Sequence, residues 1–274
     1  TTTFTRTLEE HKLESLISLL LEYAGRPSLS LAELQSVAGK VQRAVMTMPP
    51  GASVLMANMF AMTHGLSQPW QRRRTNRAVR EDFRQCAELL QLNLGRGYYR
   101  TDHLPEAPVV LSDASKSRGY TGGGFVSSCG AYSFWRYGTS AARKPIDYLE
   151  GDTVVRTVEL LKAGWRGCVV PFGVDNSAFQ GSQVKGWSHA QRLQGLLHTL
   201  FREQLEADFI LRCFWLSTHD NVLADHLSRG REAEFLHAVH ACSFLLDGVQ
   251  LNRHADAGSV RCIGKHHSAS TDGD

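Results

Sequence analysis

Four acidic residues stand where predicted strands end or predicted helices begin. Asp113 ends a short apolar strand, and Asp175 ends the fourth predicted strand. Glu150 lies at the start of the helix between them, and Asp225 at the start of the last helix. Because sites form at the carboxyl ends of neighbouring strands in open α/β sheets, we expect the four carboxylates to converge on one cleft.

Carboxylates gathered in this way repel one another and raise one another's pKa. Bound cations relieve that conflict, and oxygen ligands suit Mg²⁺ or Mn²⁺. Two such ions, about 3.5–4 Å apart, can activate a water and stabilise the departing oxygen in phosphodiester cleavage. The pattern therefore predicts a two-metal hydrolytic site.

Three further residues have predicted supporting roles. Ser115 and Asn176 are expected to orient the ligands and contact nucleic acid, and His219 to move a proton or help product leave. Ordinary alternatives exist for single members, since Asp175-Asn176 is a common turn pair and Asp225 or Glu150 can stabilise a helix start. A surface or capping role is the alternative for His219.

The elements that must position these residues alternate between strands and helices over residues 109–230. We expect strands at 109–113, 120–126, 132–137, 168–174 and 209–216, and helices at 150–163, 191–205 and 222–229. This order describes an α/β fold with a mixed five-stranded sheet and flanking helices.

The first third of the chain is predicted to be a small all-helical domain. Thr7 with Glu10, and Ser30 with Glu33, have the form of capping boxes that open its first two helices. We therefore expect a helical domain over 1–93, a linker over 94–108, the α/β domain over 109–230 and a C-terminal extension over 231–274.

Arginines cluster in one short segment, which the pattern assigns to a fourth helix. They are Arg72, Arg73, Arg74, Arg77, Arg80 and Arg84. The formal net charge is only +3, but local clustering of this kind captures phosphates by displacing counterions. We expect this segment to bind nucleic acid; a solvated helix face is the alternative.

Bulk composition favours a soluble globular protein. Of the 274 residues, 42% are hydrophobic and 21% are charged, which is ordinary for globular chains. No apolar run approaches the roughly 20 residues of a membrane span, so no membrane partner is expected. The six cysteines include no close pair, which argues against a zinc site and fits a reducing intracellular compartment such as cytoplasm, nucleus or mitochondrion.

Five sequence blocks together resemble the ribonuclease H domain of retroelement reverse transcriptases. They are Leu111-Ser112-Asp113-Ala114-Ser115, Gly122-Gly123-Gly124-Phe125-Val126, Ile146 to Glu150, Val174-Asp175-Asn176-Ser177, and Asn221 to Arg229. The last block is similar to the Asn-x-x-Ala-Asp-x-Leu-Ser-Arg signature of LTR and DIRS-like elements. Upstream, residues 34–41 and 48–51 resemble the thumb or connection region that precedes this domain.

The resemblance implies a ribonuclease H-like fold, with Asp113, Glu150, Asp175 and Asp225 as the family's four metal-binding acids. Two departures stand out. Glu150 is followed by Gly151-Asp152, and glycine costs about 1 kcal/mol inside a helix, so Asp152 is a candidate substitute ligand. No aromatic-x-Asp-Asp polymerase motif occurs in the sequence, so we do not expect this chain to polymerise by itself.

Three hypotheses about function follow. The first is metal-dependent endonucleolytic hydrolysis of RNA in RNA/DNA hybrids. The second is a non-catalytic scaffold that binds structured RNA or protein within a larger ribonucleoprotein. In the third, the partner is a separate polymerase chain that covers apolar thumb helices.

Overall fold

The computed structural model describes residues 5–93, 96–98, 104–242, 244–245 and 249–253. Part of the expected linker over 94–108, and the C-terminal extension beyond residue 253, lie outside the described residues. Within the described part of the chain, no helix is both long enough and apolar enough to cross a membrane.

The N-terminal region combines four helices with short strand pairs in its described part. In chain order its elements are β1 (Thr5–Thr7), α1 (Glu10–Gly25), β2 (Ser28–Ser30), α2 (Leu31–Val45), a 3₁₀ turn (Ala52–Met56), α3 (Ala57–Thr63), β3 (Arg72–Arg74), α4 (Arg77–Asn93) and β4 (Arg96–Tyr98). Strand β1 pairs with β4 and β2 with β3, both antiparallel. The region is therefore mainly helical. The sequence predicted an all-helical domain, and the two strand pairs correct that prediction.

The second predicted capping box is confirmed and the first is wrong. Ser30 Oγ accepts the Glu33 N–H at 3.2 Å, and Glu33 Oε2 accepts the Ser30 N–H at 2.7 Å. Helix α1 instead begins at Glu10 after Glu9, which makes no side-chain cap. Both ends of the Ser30 box are satisfied, which fixes the start of α2.

The arginine segment is divided between two elements, whereas the sequence predicted one helix. Arg72 to Arg74 form β3, whose partner strand β2 lies more than forty residues earlier in the chain. Helix α4 starts only after Asn76, whose Oδ1 accepts the Val79 N–H at 2.9 Å. The arginines therefore do not share one helical face.

A mixed sheet forms the centre of the second half. Its strands are β5 (Val110–Ser117), β6 (Tyr120–Ser127), β7 (Ala131–Arg136), β8 (Val169–Val174), β9 (Ile210–Trp215) and β10 (Asn252–Arg253). The order is β10-β7-β6-β5-β8-β9. Strands β5, β6 and β7 are antiparallel neighbours, while β8 runs parallel to both β5 and β9. The five predicted strands are confirmed, and β10 adds a short sixth strand at one edge.

Helices cover both faces of this sheet. They are α5 (Thr139–Ala142), α6 (Ile146–Leu161), α7 (Ser177–Lys185), α8 (Gln191–Ala207), α9 (Val222–Ser228) and α10 (Glu232–Ala241). Helix α6 begins four residues before Glu150, so this acid lies in the second turn and not at the helix start. The architecture is the mixed α/β fold that the sequence predicted.

One hydrophobic core runs from the N-terminal helices into the α/β half. Leu34 and Phe83 belong to the same buried cluster as Val158 and Phe201. Polar contacts also cross this junction, because Arg202 of α8 pairs with Glu88 of α4 at 2.7 Å. The division into domains at 94–108 stays a prediction.

Candidate metal centre

The first two acids lie where two parallel strands separate. Strand β5 pairs with β8 through Val110 with Phe172 and Leu111 with Gly173. Continuing this register by two residues places Asp113 beside Asp175, and Asp175 lies one residue past the end of β8. Beyond Leu111 the strands no longer pair, which opens a cleft between them at this point.

The third acid reaches the cleft from helix α6. Glu150 is 3% exposed, and its Oε2 accepts the backbone N–H of Ala114 at 3.1 Å. Asp113 is 4% exposed. Ligand oxygens of Asp113, Glu150 and Asp175 all lie within 4.8 Å of one another. Three elements distant in sequence thus deliver three carboxylates to one point.

Burial makes this group unfavourable when all three acids are charged. Burial, together with the charges of Asp175 and Asp225, raises the pKa of Asp113 to about 7. Burial and the charges of Asp113 and Asp175 raise the pKa of Glu150 well above its ordinary value. Hard oxygen donors held this closely fit a divalent cation such as Mg²⁺ or Mn²⁺, whose charge would favour the ionised acids.

The fourth acid lies in the same cleft but is paired. Asp225 Oδ1 accepts a hydrogen bond from Arg229 Nε at 2.7 Å and forms an ion pair with Arg229, whose Nη2 also lies 2.7 Å away. Its charge still acts on the pKa of Asp113, and both residues line the cleft. The structure therefore brings three of the four predicted ligands into a tight group, with Asp225 beside them.

Asp152 does not replace Glu150 as a ligand. It forms an ion pair with Arg156, with Asp152 Oδ2 2.8 Å from Arg156 Nε, and it lies outside the carboxylate group. The intervening Gly151 is a packing requirement, because a Cβ atom there would stand 2.8 Å from both Leu196 Cδ1 and Phe179 Cε2. The glycine lets α6 approach α7 and α8 and does not weaken the position of Glu150.

The residues predicted to support the ligands have other contacts in the structure. Ser115 Oγ donates to the Ser228 carbonyl at 2.6 Å, which fastens the end of α9 to β5. Asn176 caps α7, its Oδ1 accepting the Phe179 N–H at 2.9 Å. His219 is exposed in the loop between β9 and α9, and its proposed proton transfer stays a prediction.

The predicted nucleic-acid-binding arginines are likewise partly engaged within the protein. Arg72 lies 3.6 Å from Glu33, Arg84 lies 3.4 Å from Glu81, and Arg80 donates to Thr75 Oγ1 at 3.2 Å. Arg74 and Arg77 are exposed. A role of these arginines in binding phosphates stays a prediction.

Sequence reasoning missed two contacts to Asp175. Thr218 Oγ1 donates to Asp175 Oδ2 at 3.0 Å, and Trp215 Nε1 donates to the Asp175 carbonyl at 3.0 Å. Neither residue type signals such a role in the sequence. Arg229 was identifiable, because it lies four residues after Asp225 on a predicted helix, a spacing that favours an ion pair.

No protein-family profile and no curated protein matches the sequence. Among solved structures, the chain is similar to ribonuclease H1 from the halophilic archaeon Halobacterium salinarum NRC-1, at 17% identity and a TM-score of 0.37. The match covers 46% of this chain and 98% of that one.

Two further similar structures are of the foamy viral protease-reverse transcriptase. One is in complex with double-stranded DNA, at 11% identity and a TM-score of 0.28, covering 78% of this chain and 36% of that one. The other is in complex with an RNA/DNA hybrid, at 14% identity and a TM-score of 0.27, covering 77% and 27%. At such low identities and scores, these likenesses carry no conclusion about activity.

Proposed function

We propose that the protein is a metal-dependent nuclease that hydrolyses the RNA strand of RNA/DNA hybrids. One observation carries the proposal: buried Asp113 and Glu150 share a cleft with Asp175, with ligand oxygens within 4.8 Å. Burying acids costs free energy unless their charges are compensated. A fold that keeps them together in an open cleft of about 530 Å³ is suited to holding cations for phosphodiester cleavage.

Each acid has a distinct part in the proposal. Asp113, Glu150 and Asp175 would hold the ions, two in number if Asp225 leaves Arg229 to join them. Divalent cations so bound would supply an activated water and charge stabilisation for the leaving oxygen. The protein's own residues fix the geometry: Ala114 N–H holds Glu150, and Thr218 holds Asp175.

The hybrid substrate and the retroelement origin are supported by the sequence blocks that resemble retroelement ribonuclease H. The 2′-hydroxyls in a wide minor groove are the feature by which such an enzyme would distinguish RNA from DNA. The arginines of β3 and α4 are proposed to bind phosphates of the same substrate.

The test is cleavage of an end-labelled RNA/DNA hybrid with Mg²⁺, with Mn²⁺ and with EDTA. We expect D113N and D175N to reduce cleavage to background, and D152N to keep it, because Asp152 is an acid on α6 that lies outside the cleft. Double-stranded DNA and double-stranded RNA should be cleaved poorly. Equal turnover by wild type, D113N and D175N would exclude the proposal.

A non-catalytic scaffold is the second candidate, because Arg229 already pairs with Asp225. In that case the wild-type protein would bind a hybrid or a structured RNA without cleaving it at any Mg²⁺ or Mn²⁺ concentration. Co-purification with a large ribonucleoprotein or a polymerase chain would then identify the assembly.

A further inference from the structure

A second cleft, with a volume of about 770 Å³, lies between α3 and the segment that joins α7 to α8. It shares no lining residue with the carboxylate cleft. Its walls are fixed to each other, since Ser53 Oγ donates to the Lys185 carbonyl at 2.6 Å and Gln194 Nε2 to the Val54 carbonyl at 3.1 Å. The cleft is therefore built into the junction of the two halves.

The turn at Gly186 lets the segment between α7 and α8 pack closely against Ser53. Gly186 has φ 73°, and a Cβ atom there would overlap Ser53 Oγ. Glycine is the residue that accepts this left-handed conformation without strain. The turn presents Lys185 and Trp187, on either side of it, to the cleft.

Exposed aromatic rings border the cleft. Phe60 is 47% exposed and Trp187 is 37% exposed. Trp187 is held edge-to-face against His189, with ring centroids 4.6 Å apart and planes at 87°. Flat rings kept accessible beside polar groups are the usual stacking platforms for unpaired bases.

The charge of the lining favours an anion. Lys185, His64 and His189 line the cleft, and none of its lining residues is an acid. Lys185 is exposed and forms no ion pair with any residue that the structure describes. Helix α8 also begins at the cleft with no side-chain cap, so its positive end adds to the attraction.

The arginine strand β3 contacts the edge of the cleft at His64. A terminal nitrogen of Arg73 donates to the backbone carbonyl of His64 at 2.5 Å. On either side of Arg73, Arg72 and Arg74 are exposed, and Trp70 just before them is 73% exposed. A chain of phosphates that leaves the cleft past His64 would therefore first meet Arg73, whereas Arg72 and Arg74 point to the opposite face of β3, where Arg72 lies near Glu33.

We propose that this cleft binds an unpaired segment of a single-stranded nucleic acid, with a base stacked on Trp187 and a phosphate beside Lys185, and that the strand continues along β3. A strand fits better than a lone nucleotide, because the cleft is open and its recognition groups extend beyond it onto β3. Aromatic stacking combined with a basic path is how single strands are bound without sequence preference.

The test is fluorescence anisotropy with the full chain, a labelled single-stranded RNA of about 12 nucleotides, and EDTA throughout. We expect W187A to weaken binding about tenfold, because loss of one base–aromatic stack has an effect of that order. K185A should lower the slope of log K against log salt by about one, as expected for one lost phosphate contact. V184A, an exposed neighbour outside the cleft, should bind as wild type.

Three results would overturn the proposal. The first is equal affinity of W187A, K185A and V184A. The second is displacement of the RNA by a mononucleotide as effectively as by an unlabelled strand, which indicates a small-ligand pocket. The third is displacement of the RNA by an acidic peptide as effectively as by an unlabelled strand, which indicates a general anion-binding surface. The binding assay contains EDTA and measures no cleavage, so failure here is distinguishable from failure of the nuclease proposal.

Discussion

Gly124 of β6 lies so close to α9 that a Cβ atom at this position would stand 2.7 Å from Leu227 Cβ. Gly122, on the same face, lies directly against the Ser228 carbonyl. Gly123 faces the other side, where a Cβ atom would stand 2.5 Å from Thr153 Oγ1 of α6. The glycine run thus lets the helices that carry Asp225 and Glu150 rest directly on opposite faces of the sheet.

Replacing Gly124 by alanine should move α9 away from the sheet. Overpacking of this kind costs about 1–3 kcal/mol, so we expect G124A to lower the free energy of unfolding by that amount and to reduce nuclease activity. Denaturant unfolding measures the first effect. Gly39 in α2 is the matched control, because a Cβ atom there would contact nothing within 4 Å, and G39A should be neutral or stabilising. Equal stability of G124A and wild type would contradict the close packing.

Much of this site could be predicted from the sequence, and helix phase explains one error. Glu150 lies four residues before Val154, which is fully buried, so the two share a face of α6. Asp152 is rotated by about 200° from Glu150, since each residue advances about 100° around a helix. The phase alone could have excluded Asp152 as the substitute ligand. Asp152 was considered as a substitute ligand because Gly151 weakens a helix. Gly151 is instead needed for close packing against Phe179 and Leu196, which lie far away in the chain.

The arginine strand could not be predicted in the same way. Its partner strand lies at Ser28–Ser30, and nothing local in Arg72-Arg73-Arg74 favours a strand over a helix. The pairing of Asp225 with Arg229 could be predicted in part. Their four-residue spacing is visible in the sequence, but the effect of the Arg229 charge on the metal centre depends on the tertiary structure. Local pattern predicted the strands and acids; contacts between distant segments determined the rest.

The metal-free protein should lose stability as pH rises from about 6.5 to 8. The pKa of Asp113 is raised to about 7 by burial and neighbouring acids, so the folded state retains a proton that the unfolded chain has already lost. Stability from that proton is fully present below about pH 4 and is lost progressively as the pH rises to the folded pKa, so the last part of the loss falls above about pH 6.5. Buried His198, whose pKa is lowered to about 4, destabilises the folded state only below about pH 6.5. There the histidine of the unfolded chain takes up a proton that the folded state excludes.

Unfolding in EDTA at several pH values measures this loss. D113N should make the decline shallower, leaving the part that buried Glu150 contributes, and saturating Mg²⁺ should reverse the decline, because cation binding favours the ionised acids. A wild-type stability that rises between pH 6.5 and 8 in EDTA would show that the acids are not coupled as the structure indicates.

Arg229 should oppose cation binding. Its charge lowers the pKa of Asp113 and its nitrogens occupy Asp225. At pH 8, above the pKa of Asp113, R229Q should therefore bind Mn²⁺ more tightly than wild type, as measured by titration. Stability should change by no more than about 1 kcal/mol, because partly exposed ion pairs contribute little. Weaker Mn²⁺ binding by R229Q would mean that Arg229 supports the metal centre instead.

Asn221 should be required for the position of α9. It is fully buried, and its Nδ2 donates to the Ser112 carbonyl at 3.0 Å, next to Asp113. N221A leaves that buried carbonyl without its donor, which costs about 1–3 kcal/mol. N221D should be worse, because it sets a carboxylate against the same carbonyl. The exposed neighbour Asp220 supplies the control D220A, which should lose far less stability. Thermal unfolding ranks the three variants, and an N221D protein as stable as D220A would show that Asn221 does not hold α9 to β5.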